Sequence, residues 1–218
     1  MRWRDLAADV ALLEYPLRAF GIDFGRRVTL LRLRDRRLVI HSSAPFTADD
    51  VAAIRKFGEP AWLVEATELH DTFAEAAQRA LPGVTYLPPS RLDPPPPDWS
   101  EQIEVLRIDG LRTTDEHAFF HRASGTLVLA DLLFHFPPET RGWPRFFVQK
   151  IMRLPQLLGM SFFFSLMIKD KQLFTRSMRE LLHWDFRRIV VAHREPITSD
   201  AGTVFRRALR ERGFVLDP

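Results

Sequence analysis

Titratable side chains stand directly after several apolar runs of this sequence. The runs are followed by His41, by the segment that contains His70, by Asp131 and by His193. In layered folds of helices and strands, the ends of strands and the loops after them carry the groups that bind and react. Histidine and aspartate at such positions can bind a metal ion or transfer protons near neutral pH. The sequence therefore predicts a pocket at one edge of the sheets.

A predicted β-hairpin adds Glu116 to this pocket. If His121 pairs with Thr126 across the turn 122–125, then Glu116 lies directly opposite Asp131. Opposed residues have Cβ atoms about 4.5–5.5 Å apart. Two carboxylates at that separation bind a cation, share a proton or repel each other. His121 falls at the other end of the hairpin, and we interpret it as a structural turn residue.

Composition excludes several kinds of function. The chain has 218 residues, of which 46% are hydrophobic and 27% charged, as in an ordinary globular protein. The absence of cysteine excludes disulfides, thiolate nucleophiles, zinc fingers and iron–sulfur clusters. The net charge of +3 is too small to indicate a nucleic-acid-binding surface. We expect a cytoplasmic protein, because cysteine is absent and Asp5 and Asp9 interrupt the N-terminal region before any apolar stretch of signal-peptide length. We expect no transmembrane segment, because the longest charge-free stretch, 154–168, is shorter than the ~20 residues a spanning helix needs.

The first half of the chain alternates strands with helices. Two β-branched runs, 27–33 and 37–41, predict an antiparallel hairpin. A helix is expected to begin after Thr47 and to end near Gly58. Further along, the pattern predicts a strand over 61–64, a helix over 71–81 and a strand over 84–87. The proline-rich segment 88–97 then indicates a rigid spacer.

The second half begins with a hairpin over 118–121 and 126–130, and it ends with a strand over 188–192 and a helix over 199–212. Between them the apolar spacing is helical over 143–184, with interruptions near Pro155 and Gly159. We expect one domain over 1–218 with this helical insertion. Its aromatic part, 146–174, suits a buried lid over the site best, then a dimer contact, then a helix lying on a membrane surface.

Several of these runs together resemble a known family. The matching segments are 14–17, 38–42, the strand and segment ending at His70, 119–134 and 190–196. The chain resembles an uncharacterised, mostly bacterial family related to the metallo-β-lactamase-fold hydrolases. The resemblance implies an α+β protein with a four-layer αββα sandwich, and a small molecule as substrate or ligand.

The resemblance also implies which residues bind metal. Asp131 and His193 match two ligand positions of the superfamily, and His70 matches one position of its His-x-His-x-Asp-His motif. The other positions of that motif fall on residues that include Phe73, and a further histidine position falls near Arg112. Three of the usual seven ligand positions remain, so the resemblance implies at most a mononuclear site. His41 stands roughly where relatives carry an aspartate.

Two functions remain open at this stage. In the first, His70, Asp131 and His193 bind one Zn²⁺ or Fe²⁺, and the protein hydrolyses an ester, thioester or amide with Glu116 and His41 as catalytic residues. In the second, the protein is a non-catalytic binding or interaction protein, in which Arg112 recognises an anionic ligand. Arg112 and an apolar ring at position 73 disfavour a metal, so the sequence slightly favours the metal-free interpretation.

Overall fold

The computed structural model describes residues 2–112 and 115–216. In chain order the strands are β1 (Arg2–Ala7), β2 (Val10–Tyr15), β3 (Arg18–Ala19), β4 (Ile22–Asp23), β5 (Arg26–Arg32), β6 (Arg37–His41), β7 (Glu59–Val64), β8 (Thr85–Leu87), β9 (Ile103–Arg107), β10 (His117–His121), β11 (Thr126–Leu129), β12 (Phe134–His135), β13 (Leu158–Gly159) and β14 (Arg188–Val191). The α-helices are α1 (Ala48–Phe57), α2 (Ala74–Ala80), α3 (Pro97–Ser100), α4 (Gly142–Phe146), α5 (Phe162–Met167), α6 (Lys171–Leu182) and α7 (Ala201–Arg210).

Two β-sheets form the centre of the fold. One has the strand order β1-β2-β5-β6-β7-β8, and the other has the order β14-β11-β10-β9. The hairpin of β5 and β6 is antiparallel, as predicted, whereas β6, β7 and β8 run parallel. In the second sheet His121 pairs with Thr126, which is the predicted register of the hairpin. β11 and β14 run parallel with Leu129 opposite Val191, so their ends reach the same edge.

The two sheets face each other across a shared apolar core. Val39 of the first sheet and Phe119, Val128 and Val190 of the second are buried in this core. Successive side chains of a strand point to opposite faces, so the residues that adjoin these four core residues in sequence point away from the shared core. Each fully buried aliphatic or aromatic side chain contributes about 1.5–3 kcal/mol to folding, so this interface holds the two sheets together.

Helices cover the outer face of each sheet. Leu38 and Ile40 of the first sheet pack with Ile54 of α1 and Ala77 of α2. On the second sheet, the outward residues pack against α5, α6 and α7; the buried aromatic side chains of this layer include Phe120, Phe164, Phe174 and Phe205. Both faces of the central strands are therefore buried, which explains why their sequences are almost continuously apolar. The four layers form the predicted αββα sandwich.

Local signals explain where α1 begins and ends. Thr47 caps its first turn: the Thr47 side chain accepts the Asp50 N–H, and the Asp50 carboxylate accepts the Thr47 N–H. At the other end, a Cβ atom on Gly58 would lie 2.6 Å from the Arg36 carbonyl oxygen and from Leu38 Cδ2. Only glycine fits this close approach of helix and sheet.

The region 143–184 is helical and is interrupted near Pro155 and Gly159, as predicted, but the interruption also contains a short strand. The π-helical turn Phe147–Ile151 follows α4, and the chain then forms β13, which pairs with β12, before α5 begins. Pro155 cannot donate a backbone hydrogen bond, and Arg153 and Leu157 have positive φ angles, so a helix cannot continue there. The sequence analysis did not predict the strands β1 and β2.

Within the described residues, none of the helices has both the length and the apolar character needed to cross a bilayer.

Candidate metal centre

Three of the predicted site residues converge at one edge of the sandwich. Asp131 and His193 each follow the paired residues Leu129 and Val191 by two positions, so the parallel strands β11 and β14 deliver them to the same place. His70 arrives from the other sheet, on the 3₁₀ helix Glu68–Phe73 that follows β7. Ligand atoms of the three side chains all lie within 4.8 Å of one another.

The Asp131 carboxylate is the centre of this cluster. Its Oδ1 atom lies 3.2 Å from His193 Nε2 and 3.4 Å from His70 Nε2. The two imidazole rings are nearly perpendicular, with their centroids 5.4 Å apart. Both histidines are buried, so the cluster is largely shielded from bulk water.

The tautomer of His193 is fixed by its other ring nitrogen. His193 Nδ1 lies 2.8 Å from the carbonyl oxygen of Gly25. A carbonyl can only accept, so Nδ1 carries a hydrogen, and Nε2 of the neutral ring has a lone pair. That lone pair faces the Asp131 carboxylate, which also only accepts. The contact is stable if the His193 ring is doubly protonated or if a cation lies between the two acceptors.

The charge of Asp131 is favoured by its neighbours. Burial raises the pKa of Asp131, but His70 and His193 outweigh it and hold this pKa below its ordinary value. Burial also lowers the pKa of His70, although Asp131 opposes that shift. The cluster thus combines an ionised carboxylate with an imidazole that burial keeps neutral, a donor set suited to a divalent cation.

Glu116 holds the loop that carries Asp131. Its Oε1 atom accepts the N–H groups of Ala130, Asp131 and Leu132 at 3.1, 3.0 and 3.2 Å. The side chain is buried, and burial followed by the charge of Asp131 raises the pKa of Glu116 above its ordinary value. The proximity deduced from the hairpin register is correct. The carboxylate contacts the backbone of Asp131, and a catalytic role for Glu116 stays a prediction.

A buried ion pair next to the cluster was missed by the sequence analysis. Arg26 Nη2 donates to the carbonyl oxygen of His70 at 2.6 Å and lies 3.5 Å from Glu65 Oε2. Glu65 Oε1 accepts the Ser43 N–H at 2.7 Å. Burial raises the pKa of Glu65 to about 7 and lowers that of Arg26, and each charge opposes the other's shift. A signal was present, because Glu65 directly follows the apolar end of β7.

The other two predicted site residues, His41 and Arg112, are not part of the ligand cluster of His70, Asp131 and His193. His41 ends β6 and is buried, with Nδ1 3.4 Å from Ser42 Oγ. Among the described residues its Nε2 has no hydrogen-bond partner. Burial, then the charges of His70 and Arg26, lower its pKa to about 3, so the ring is neutral. Arg112 is exposed, and its backbone N–H donates to the carbonyl oxygen of Met167. A catalytic role for His41 and a substrate-binding role for Arg112 stay predictions.

An apolar cavity opens beside Asp131. Its volume is about 320 Å³, and its walls include Phe24, Phe134, Phe147, Phe164 and Met167. Within the described residues, Asp131 supplies the charged group of this wall. The aromatic segment 146–174 therefore forms part of the cavity wall next to Asp131, but several of its side chains are also exposed. A role of this segment as a lid stays a prediction.

Comparison with known proteins shows similarity in structure only. No family model matches the chain, and no curated protein matches its sequence. The structure of DIM-1 metallo-β-lactamase exposed to ceftazidime is 14% identical and has a TM-score of 0.62, with 96% of each chain covered. A metallo-β-lactamase from Erythrobacter litoralis with β-mercaptoethanol in the active site is 13% identical with a TM-score of 0.63, again with 96% of each chain covered.

A third structure is an NDM_FIM-1-like metallo-β-lactamase from the same organism in its mono-zinc form. It is 12% identical with a TM-score of 0.60, and the match covers 97% of this chain and 94% of that one. At these identities the similarity concerns the backbone architecture, which is shared over nearly the full chain. Together with the two packed sheets and their outer helices, it shows that this chain has the metallo-β-lactamase fold.

Proposed function

We propose that this protein is a hydrolase-like metalloprotein that acts on a small molecule through one divalent ion at His70, Asp131 and His193. The observation that carries the proposal is the contact between Asp131 Oδ1 and His193 Nε2, the ring nitrogen that has a lone pair when the imidazole is neutral. Two acceptors at 3.2 Å repel each other, and a cation between them turns this repulsion into attraction.

The residues present fit a single ion. Two imidazole nitrogens and one carboxylate oxygen form a donor set used for Zn²⁺ and Fe²⁺. Ligands bound tetrahedrally at ~2.0–2.2 Å lie roughly 3.3–3.5 Å from one another. The distances of 3.2 and 3.4 Å from Asp131 Oδ1 agree with that spacing. Three protein ligands leave one position open, as in catalytic zinc sites.

The chain's own residues would prepare the site for hydrolysis. A bound ion supplies Lewis acidity toward the carbonyl group of a substrate. The Gly25 carbonyl fixes the orientation of His193, and Glu116 fixes the loop of Asp131 through three N–H groups. The apolar cavity would bind the uncharged part of the substrate and exclude water around it. Proton transfer by Glu116 would have to use Oε2, since three donors already occupy Oε1, whereas Oε2 accepts only the Asp131 N–H, at 3.3 Å, among the described residues.

The similar structures support a small molecule and a single ion. One of them was exposed to ceftazidime, and another is a mono-zinc form. We infer the same general class of ligand for this protein. The cavity, at about 320 Å³, is at the lower end of the ~300–1,000 Å³ common for small-molecule sites.

Metal analysis tests the proposal directly. The protein is purified without chelator or affinity metal, and its zinc and iron are measured by mass spectrometry. We expect about one equivalent in the wild type, loss of metal in Asp131→Ala, and no change in Asp98→Ala. The control Asp98 is half-exposed and pairs with Arg37 on the surface. Metal at background in all three proteins would refute a metal-dependent function.

A hydrolase screen follows if metal is present. The loaded wild type and Asp131→Ala are compared on neutral esters, thioesters and amides, before and after treatment with a chelator. Activity that is lost with the metal and restored by its return supports hydrolysis. A loaded protein that turns over none of these classes would contradict the hydrolase part of the proposal while leaving metal binding intact.

One observation favours the second function, a metal-free binding protein. The Arg26 guanidinium lies 5.9 Å from the centre of the Phe73 ring and donates to the backbone of His70. A fixed cation near the cluster raises the free energy of binding a dication, and Phe73 offers no ligand atom. In this case a doubly protonated His193 pairs with Asp131. A metal-free wild type that still binds an apolar ligand would support this function.

A further inference from the structure

Exposed apolar side chains surround the mouth of the cavity. Phe20, Leu69 and Phe163 line the cavity and are also exposed to solvent, by 48–75%. Trp143 and Phe146 extend this surface, and each is about half exposed. We call these five residues the rim. A contiguous group of large, exposed apolar side chains is typical of an interaction surface on a folded protein.

Contacts within the rim hold it in place. Trp143 Nε1 donates to the carbonyl oxygen of Phe20 at 2.9 Å. The Phe146 ring stacks on Trp143 with centroids 5.8 Å apart, and the Phe20 ring stacks on Phe147 at the same distance. The apolar surface therefore belongs to the folded structure around the cavity.

The segment that supplies most of the rim is strongly basic. Residues 140–169 contain five basic and no acidic residues, whereas the whole chain has a net charge of only +3. The basic residues are Arg141, Arg145, Lys150, Arg153 and Lys169. The Arg153 guanidinium lies 3.9 Å from the centre of the Phe162 ring, beside the rim residue Phe163. Within this segment positive charge thus lies next to aromatic rings, whereas the exposed acidic residues Glu68 and Asp71 are close in sequence to the rim residue Leu69.

This combination identifies one kind of partner. Aromatic side chains that enter the boundary between headgroups and acyl chains, flanked by Lys and Arg, are typical of proteins that bind membrane surfaces. A second copy of the chain would bring the same positive charge to the contact, which disfavours a dimer through this face. We propose that the rim docks on an anionic lipid surface, with the cavity open toward the lipid. This inference does not depend on a bound metal.

Vesicle sedimentation tests the docking. Metal-stripped protein is mixed with phosphatidylcholine vesicles, with or without phosphatidylglycerol. We expect binding to the anionic vesicles at least tenfold above binding to the neutral ones, and a decrease with added salt because salt screens the attraction. Equal recovery of the protein with and without vesicles would overturn the proposal. Because the protein is metal-free throughout, failure of the metal site cannot cause this result.

A matched pair of double variants separates a specific face from general charge. Arg141→Ala/Lys150→Ala removes two cations from the basic segment. Lys56→Ala/Arg79→Ala removes two exposed cations near the C-terminal ends of α1 and α2. These helices lead into β7 and β8, so this pair lies at the sheet edge opposite the site. Each cation near an anionic surface contributes about fivefold to binding, so the first pair should lower it about 25-fold.

The second pair should leave binding almost unchanged. Equal losses in the two double variants would mean general electrostatic attraction and would overturn the proposal. The apolar contribution is tested with Phe146→Ser, which should weaken binding roughly tenfold, against Val215→Ser, an exposed control that does not line the cavity. Unchanged binding of Phe146→Ser would likewise contradict docking on lipid. So would a stable dimer in size-exclusion chromatography that Phe146→Ser converts to monomer. Near-ultraviolet circular dichroism verifies that each variant is folded.

Discussion

Truncation of Glu116 should destabilise the protein more than an ordinary surface substitution, even without metal. The Glu116 carboxylate is the acceptor for the N–H groups of Ala130, Asp131 and Leu132 in a buried position. A buried N–H without a partner costs about 1–3 kcal/mol. Three such groups together would cost roughly 3–9 kcal/mol. Water that enters from the adjacent cavity can bind some of them, so we expect Glu116→Ala to lower the free energy of unfolding by about 3–5 kcal/mol.

The isosteric variant separates hydrogen bonding from charge. Glu116→Gln keeps one oxygen that can accept the same N–H groups, so we expect a smaller loss of about 1–2 kcal/mol. Since the loop carries Asp131, metal affinity should also fall, by roughly 10–100-fold. In Glu116→Ala the loop loses all three hydrogen bonds, and affinity should fall further.

Urea unfolding of the metal-stripped proteins, followed by tryptophan fluorescence, measures the free energy of unfolding. Glu104→Ala is the matched control. Glu104, on the neighbouring strand β9, accepts a hydrogen bond from Trp184 Nε1 and pairs with Arg122, which follows β10. It is partly exposed, so water can replace its contacts and we expect a loss below about 1.5 kcal/mol. A loss below 1 kcal/mol for Glu116→Ala, or an equal loss in the control, would refute the role given to Glu116.

Three further predictions concern the stability of the fold. Burial lowers the pKa of His121, so the folded state keeps this ring neutral. Below the unfolded-state pKa of about 6.5 the unfolded chain binds a proton that the folded protein does not bind, so the free energy of unfolding falls as the pH decreases. Unfolding free energies measured between pH 7 and pH 5 should therefore decrease less in His121→Gln than in the wild type, and parallel curves would contradict this. Phe205→Ala should cost about 3–5 kcal/mol because the ring is fully buried under the second sheet, whereas the exposed Phe146→Ala should change the unfolding free energy little, as chemical denaturation can show. Thr47→Ala removes the side-chain cap of α1 and should cost about 1 kcal/mol, while a melting temperature equal to that of the wild type would argue against the cap.

Much of the fold could be predicted because its signals are local. The β-branched runs that became β5, β6, β11 and β14 are buried on both faces, so their apolar character is visible without knowledge of their partners. The N-cap at Thr47 and the glycine at position 58 are equally local. The αββα order itself came from the family resemblance.

The missed strands show where local signals end. β1 is an edge strand with the charged residues Arg2, Arg4 and Asp5, and its identity depends on pairing with β2, where Trp3 lies opposite Leu13. The sequence of β2, Val-Ala-Leu-Leu-Glu-Tyr, is also compatible with a helix. Propensity alone could not choose between the two structures, and the pairing of β2 with β5 decided it.

The sequence by itself determined the elements of the core and the titratable residues at the strand ends, because hydrophobic periodicity and residue type are properties of short segments. The hairpin register even placed Glu116 beside Asp131. Only the tertiary structure decided which atoms meet. The contact of His193 with the Gly25 carbonyl joins residues 168 positions apart, and the Arg26–Glu65 pair joins β5 to the residue that follows β7. Such contacts depend on how the two sheets pack, and they set the tautomer, charge and surroundings on which the chemistry of the site depends.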